Sequence, residues 1–76
     1  PFFHEQAAAF ARSLLAEPDV GRRIDRGFAV ALQRRPQDAE RAVAARLVET
    51  YPGGDEEKWA ALARVLLASS EFVHVD

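Results

Sequence analysis

The sequence predicts a small all-α domain, a four-helix bundle with a short extended C-terminal tail. Breakers at Pro18, at Pro36 and at Pro52-Gly53-Gly54 divide the 76 residues into four stretches of helical length. Within each stretch apolar residues recur at spacings of three and four, which places them on one helical face. The connections that remain are short, as in bundles whose sequence neighbours are also spatial neighbours. Proline lacks an N–H and clashes with the preceding turn, so it marks helix boundaries. Paired glycines favour turns because they reach positive φ without a steric cost.

The first helix is expected over Phe3 to Ala16, with Phe3, Ala7, Phe10 and Leu14 as its stripe and Ala8, Ala9 and Ala11 adding helix propensity. The second is expected over Val20 to Gln33. Asp19 is its predicted N-cap, since a carboxylate there accepts from the orphan N–H groups of the first turn. Ile24, Gly27, Phe28 and Ala31 form its apolar face, with Leu32 beside it. A mid-helix glycine costs about 1 kcal/mol relative to alanine; on a buried face Gly27 permits close helix approach.

The third helix is expected over Asp38 to Tyr51, with Ala44, Leu47, Val48 and Tyr51 as its stripe and Val43 on the flank. Pro36 stands near its start, where a missing N–H does no harm. The fourth is expected over Asp55 to Ser69. Asp55 is its predicted cap, and Glu56 and Glu57 suit the positive end of the helix dipole. Trp59, Leu62, Ala63 and Leu66 form its core face, backed by Val65 and Leu67. The tail Phe72-Val73-His74-Val75 alternates apolar and polar residues. It is expected to be extended, with Phe72 packed against the bundle. Otherwise it is a strand whose backbone groups need a partner elsewhere.

A chain this short buries a smaller fraction of its surface than larger domains do. With no cysteine there is no disulfide to compensate, so stability must come from helix packing, for which an apolar share of 49% suffices. The absence of cysteine also removes thiolate metal sites, haem attachment and thiol nucleophiles. A net charge of -2 argues against a general polyanion binder. No stretch approaches the ~20 apolar residues of a membrane helix; the longest, Trp59 to Ser69, is interrupted by Arg64, so no membrane insertion is expected. A chain that begins with Pro and contains no Met is expected to be one domain excised from a longer multidomain protein.

The sequence carries no G-x-S-x-G nucleophile turn, no phosphate-cradling glycine loop and no H-E-x-x-H. Glu5, Asp25, Glu40, Glu49 and Glu71 are spread over all segments, and paired carboxylates do acid–base work only in a cleft that shifts their pKa. His4 and His74, with Glu5 or Glu71, are the one conceivable metal set. They lack helical spacing, and solvated histidines are the expectation. No catalytic, cofactor-binding or metal residue is therefore assigned, no small-molecule ligand is expected, and the chain by itself is not expected to be an enzyme. Trp59, Phe28, Phe10 and Tyr51 read as core aromatics rather than a ligand box.

Arg22, Arg23, Arg26, Arg34 and Arg35 form the one basic cluster. Two helices joined by a turn are also the parts of a helix-turn-helix reader of DNA, the alternative function. Against it, Asp19 and Asp25 sit among the arginines, and the third helix carries Asp38, Glu40 and Glu49. Nucleic acid is thus not the expected partner. Arg34 is expected to bridge the end of the second helix to Glu40, where a cation also suits the dipole.

Phe3-His4-Glu5-Gln6-Ala7, Arg34-Arg35-Pro36 with Glu40, and Leu66-Leu67-Ala68-Ser69-Ser70-Glu71-Phe72 closing in Val75-Asp76 together span essentially the whole chain. In these motifs the chain resembles the C-terminal part of a planctomycete domain of unknown function, often found in proteins with a c-type cytochrome module. The closing run is the most specific part. Gln33 stands where that family usually has glycine, and His74 where it usually has an aromatic. The resemblance implies a large exported bacterial parent, periplasmic or at the cell surface, with this segment at its end. It implies a redox setting for the parent and no reaction for this segment. The expected function is a non-catalytic structural or interaction module. It would pack on preceding domains or a protein partner, with Arg34, Phe72, Val73 and Val75 as the candidate interaction residues.

Overall fold

The computed structural model describes the backbone of residues 2–73 and the side chains of residues 5–70. It contains four helices: α1 (Phe2–Leu15), α2 (Val20–Leu32), α3 (Asp38–Thr50) and α4 (Asp55–Val73). They form an all-α four-helix bundle in which α4 is the hub. α4 packs on each of the other three, most extensively on α1, while among the described residues no Cα of α1 lies within 8 Å of one in α3. The thinnest dimension, 20 Å, corresponds to two helix layers at about 10 Å each.

The predicted stripes become the core. Ala7, Phe10, Ala11 and Leu14 of α1 are buried, as are Ile24, Gly27, Phe28 and Ala31 of α2. Ala44 and Val48 come from α3, and Trp59, Leu62, Ala63 and Leu66 from α4. A Cβ at Gly27 would lie 2.8 Å from Leu66 Cδ1 and 3.6 Å from Leu14 Cδ1, so the buried Leu66 side chain would have to shift to admit one. The absence of a side chain lets α2 settle onto the α1–α4 seam.

The helix ends follow the chemistry of their caps. Asp19 Oδ1 accepts from the Arg22 N–H at 2.8 Å, as expected of an N-cap. α2 ends at Gln33, which takes the left-handed conformation (φ 58°, ψ 37°) usually given to glycine, and its N–H donates to Ala29 O. Asp55 is not the cap of α4. Gly54 O accepts the first helical bond from Lys58 N, and the Gly54 N–H donates to Glu57 Oε1 at 2.8 Å. Glu57 reaches back across the first turn, and Asp55 is already helical.

The C-terminal tail differs from expectation in one respect. α4 continues through Val73, so Phe72 and Val73 belong to a helix rather than to an extended segment. No proline or glycine follows Asp55. The Ser69 hydroxyl donates to Val65 O and stays within the helix. Nothing therefore ends α4 at Ser69. His74, Val75 and Asp76 lie outside the described residues.

Candidate functional site

α3 presents a wider apolar stripe than its neighbours cover. Ala44 and Val48 face the core, Leu47 is half-buried, and Val43 is 70% exposed. On α4, Val65 is 52% exposed beside the buried Leu62 and Leu66. All of these except Val48 bound an open groove of about 650 Å³ between α2, α3 and α4, with Phe28 and Leu32 in its wall. Val43 and Val65, read from sequence as the flank and backing of the core, are its large exposed apolar side chains. The signal for it was the width of the α3 stripe.

The groove has one charged end. Arg34 donates from Nη1 to Glu40 Oε1 and from Nη2 to Glu40 Oε2, both at 2.8 Å, a bidentate pair. Glu40 Oε1 also accepts the Gln37 N–H at 2.8 Å, and Arg34 Nη1 reaches Arg35 O at 3.1 Å. The guanidinium lies over the Phe28 ring, 5.7 Å from its centroid. The Arg34 hydrogen bonds, with that of the Gln37 N–H, hold the Glu40 carboxyl down to about 2. The same partnership raises the pKa of Arg34. Arg34 thus makes the bridge predicted for it, from the end of α2 to the first turn of α3, and it lines the groove.

The other candidate interaction residues divide. Phe72 and Val73 are on α4, with their side chains outside the described set, and Val75 lies beyond it. Phe10, Phe28 and Trp59 are core as expected. Tyr51 is half-buried, and its hydroxyl accepts from Arg64 Nη2 at 3.2 Å. The His4 and His74 side chains are not among those described. Among the described residues no group of three or more histidine or acidic side chains is placed to hold a metal ion, and no helix is long and apolar enough to cross a membrane.

The basic cluster is largely occupied. Arg22 lies 3.8 Å from Asp19, Arg26 lies 3.3 Å from Glu17, and Arg34 is held by Glu40. Arg41 of α3 reaches Asp25 of α2 at 2.6 Å. Arg23 donates from Nε to Glu17 O at 2.9 Å and from Nη2 to Leu15 O at 3.4 Å. It also lies over the Trp59 ring, 5.4 Å from the centroid. Arg23 therefore ties the end of α1 to α2 and to the central tryptophan, a structural part that sequence reasoning placed only in a charge cluster.

No family model, curated protein or solved structure matches this chain.

Proposed function

We propose that this chain is a non-catalytic interaction module that receives an apolar helical segment of a protein partner in the α2–α3–α4 groove. The observation that carries the reading is the apolar stripe of α3 that the described side chains leave uncovered, with Val43 and Val65 exposed on either side of the groove. A furrow between packed helices accepts a further helix through apolar anchors at i, i+3, i+4 and i+7. The chemistry of the lining selects an uncharged face. Among the described residues its only charged groups, Arg34 and Glu40, already satisfy each other. In a larger exported protein, the setting implied by the resemblance, an adjoining domain is the natural source of such a segment.

The pairing of Arg22, Arg26, Arg34 and Arg41 with carboxylates counts against the DNA-binding alternative, because a duplex needs unneutralised cations to displace its counterions. The test is a selection of random helical peptides on the immobilised domain, followed by Val43→Asp and Val65→Asp. The reading expects enriched peptides with apolar residues at helical spacing. It expects each substitution to weaken them at least about tenfold, roughly 1.4 kcal/mol, with the domain's melting temperature unchanged. A selection that yields no binder, or binders indifferent to both substitutions, contradicts it. Salt-dependent binding of random duplex DNA moves the assignment to the alternative.

A further inference from the structure

A second cavity, of about 340 Å³, lies between α1 and α4 and shares no residue with the groove. Ala8, Ala11 and Ala60 give it a shallow apolar floor, and Tyr51 stands at its side. The Tyr51 carbonyl accepts from Lys58 Nζ at 2.6 Å, and its hydroxyl accepts from Arg64 Nη2 at 3.2 Å. The residue is thereby fixed at both ends along α4.

Arg12 and Arg64 enter this cavity from facing helices. Among the described residues neither has a carboxylate within 4.0 Å, which is true also of Arg23, Arg35 and Arg46; Arg12 and Arg64 differ from these in lining one cavity together. Arg64 is half-buried and carries five N–H donors, of which one is directed to Tyr51. A guanidinium beside an apolar floor and short of an anion is poised for a carboxylate, which its fork accepts in bidentate geometry.

Two acids, Glu56 and Glu57, line the same cavity at its other end. Glu57 is engaged by the Gly54 N–H. At 1.5 Å per residue, Glu56 and Glu57 lie about 10–12 Å along the α4 axis from Arg64. Neither is within ion-pair distance of Arg64, and their negative charge at the same cavity disfavours a dianion more than a monoanion.

We infer that the α1–α4 cavity is a binding site for a monoanionic carboxylate on a small apolar or aromatic body, with Arg64 and Arg12 taking the carboxylate and Tyr51 and the alanines the body. This is independent of the proposed groove function, and it departs from the sequence expectation of no small-molecule ligand. The carboxylate comes either from a free acid or from the C-terminus of a peptide ending in an aromatic residue.

The experiment is a titration of the labelled domain followed by amide chemical shifts. Benzoate is the free-acid probe and N-acetyl-glycyl-phenylalanine the chain-end probe, with benzamide and phenyl phosphate as controls. The site expects saturable shifts at Ala8, Ala11, Ala60 and Arg64 with benzoate or the acetylated peptide. Benzamide and phenyl phosphate should bind at least about tenfold more weakly. Arg64→Gln should weaken the carboxylate at least about tenfold, and Arg12→Gln should weaken it less. Binding of benzoate alone marks a small-acid site; binding of the peptide as well marks a chain-end receptor. Equal shifts with benzoate and benzamide on the unmodified protein overturn the site, even if Arg64→Gln fails to fold. So does unchanged binding in a folded Arg64→Gln protein, or the absence of saturable shifts with either carboxylate.

Discussion

α1 and α3 both pack on α4, yet they are held by different means. α1 gives Ala7, Phe10, Ala11 and Leu14 to the interior, and Leu14 is fully buried. Its alanines bring the backbone close to α4, and Gly27 lets α2 close over the seam. α3 gives only Ala44 and Val48 to full burial. The rest of its attachment is the half-buried Ala45 and Leu47 and two exposed ion pairs, Glu40 to Arg34 and Arg41 to Asp25. Apolar burial scales with area removed from water, while exposed ion pairs contribute little. The α1–α4 half therefore supplies more of the apolar burial, and α3 is a lightly held layer whose exposed stripe borders the groove.

The largest expected effect lies at the hub. Trp59 is 2% exposed and carries Arg23 on its ring face. Trp59→Ala should cost about 3–5 kcal/mol, against a total of roughly 4–11 kcal/mol for a chain of this length. Loss of a cooperative thermal transition by circular dichroism is the expected result; a midpoint within a few degrees of the parent would remove Trp59 from the core.

A matched pair tests the contrast itself. Leu14→Ala, on α1, should cost about 2–5 kcal/mol, the range for a fully buried leucine. Leu47→Ala, on α3, should cost about 1 kcal/mol, because that side chain is only half-buried and its site can relax. Urea midpoints measure both, and equal losses would break the distinction between the two halves.

The polar attachment of α3 should show in acid. Glu40 has its pKa lowered to about 2 by Arg34 and by the Gln37 N–H. A carboxyl depressed on folding contributes stability above its unfolded pKa and loses that contribution as pH falls toward the folded value. The melting temperature should therefore decline between about pH 5 and pH 2, and Glu40→Gln should flatten that decline. Identical slopes for the two proteins would remove the Arg34–Glu40 bridge from the hold on α3.

The smallest expected effect is a gain. Gln33 holds a left-handed conformation that costs a side-chain-bearing residue about 1–2 kcal/mol. Glycine removes that strain and gives back part of the gain to the unfolded chain. Gln33→Gly should therefore raise stability by about 0.5 kcal/mol, seen as a later urea midpoint. A lower midpoint would show that the Gln33 side chain contributes more than its backbone costs.

The helices and nearly all of the core were legible in the sequence, because breakers and three–four periodicity act locally. Asp19 and the Arg34–Glu40 bridge were legible for the same reason: each partner lies within six residues. Asp55 misled, since an acidic residue early in a helix suits both the cap and the first turn, and Glu57 with Gly54 took the capping role. The end of α4 misled because an alternating apolar pattern over four residues does not outweigh the absence of a breaker. The groove was legible only as the width of the α3 stripe, and the α1–α4 cavity was not legible at all. Both depend on which side of a stripe a neighbour leaves bare, as with Val43 and Val65. Whether Arg64 meets an acid across the bundle is likewise set by packing between distant segments.

Native-state hydrogen exchange distinguishes a lightly held α3 on an α1–α4 core from a uniformly stable bundle. Amides in the middle of α1 and α4 should open only with global unfolding. Those of Ala44 to Val48 in α3 should exchange through a separate opening of lower free energy, since local stability follows buried apolar contact. Protection across α3 equal to that of α1 and α4, with the same dependence on denaturant, would contradict the account.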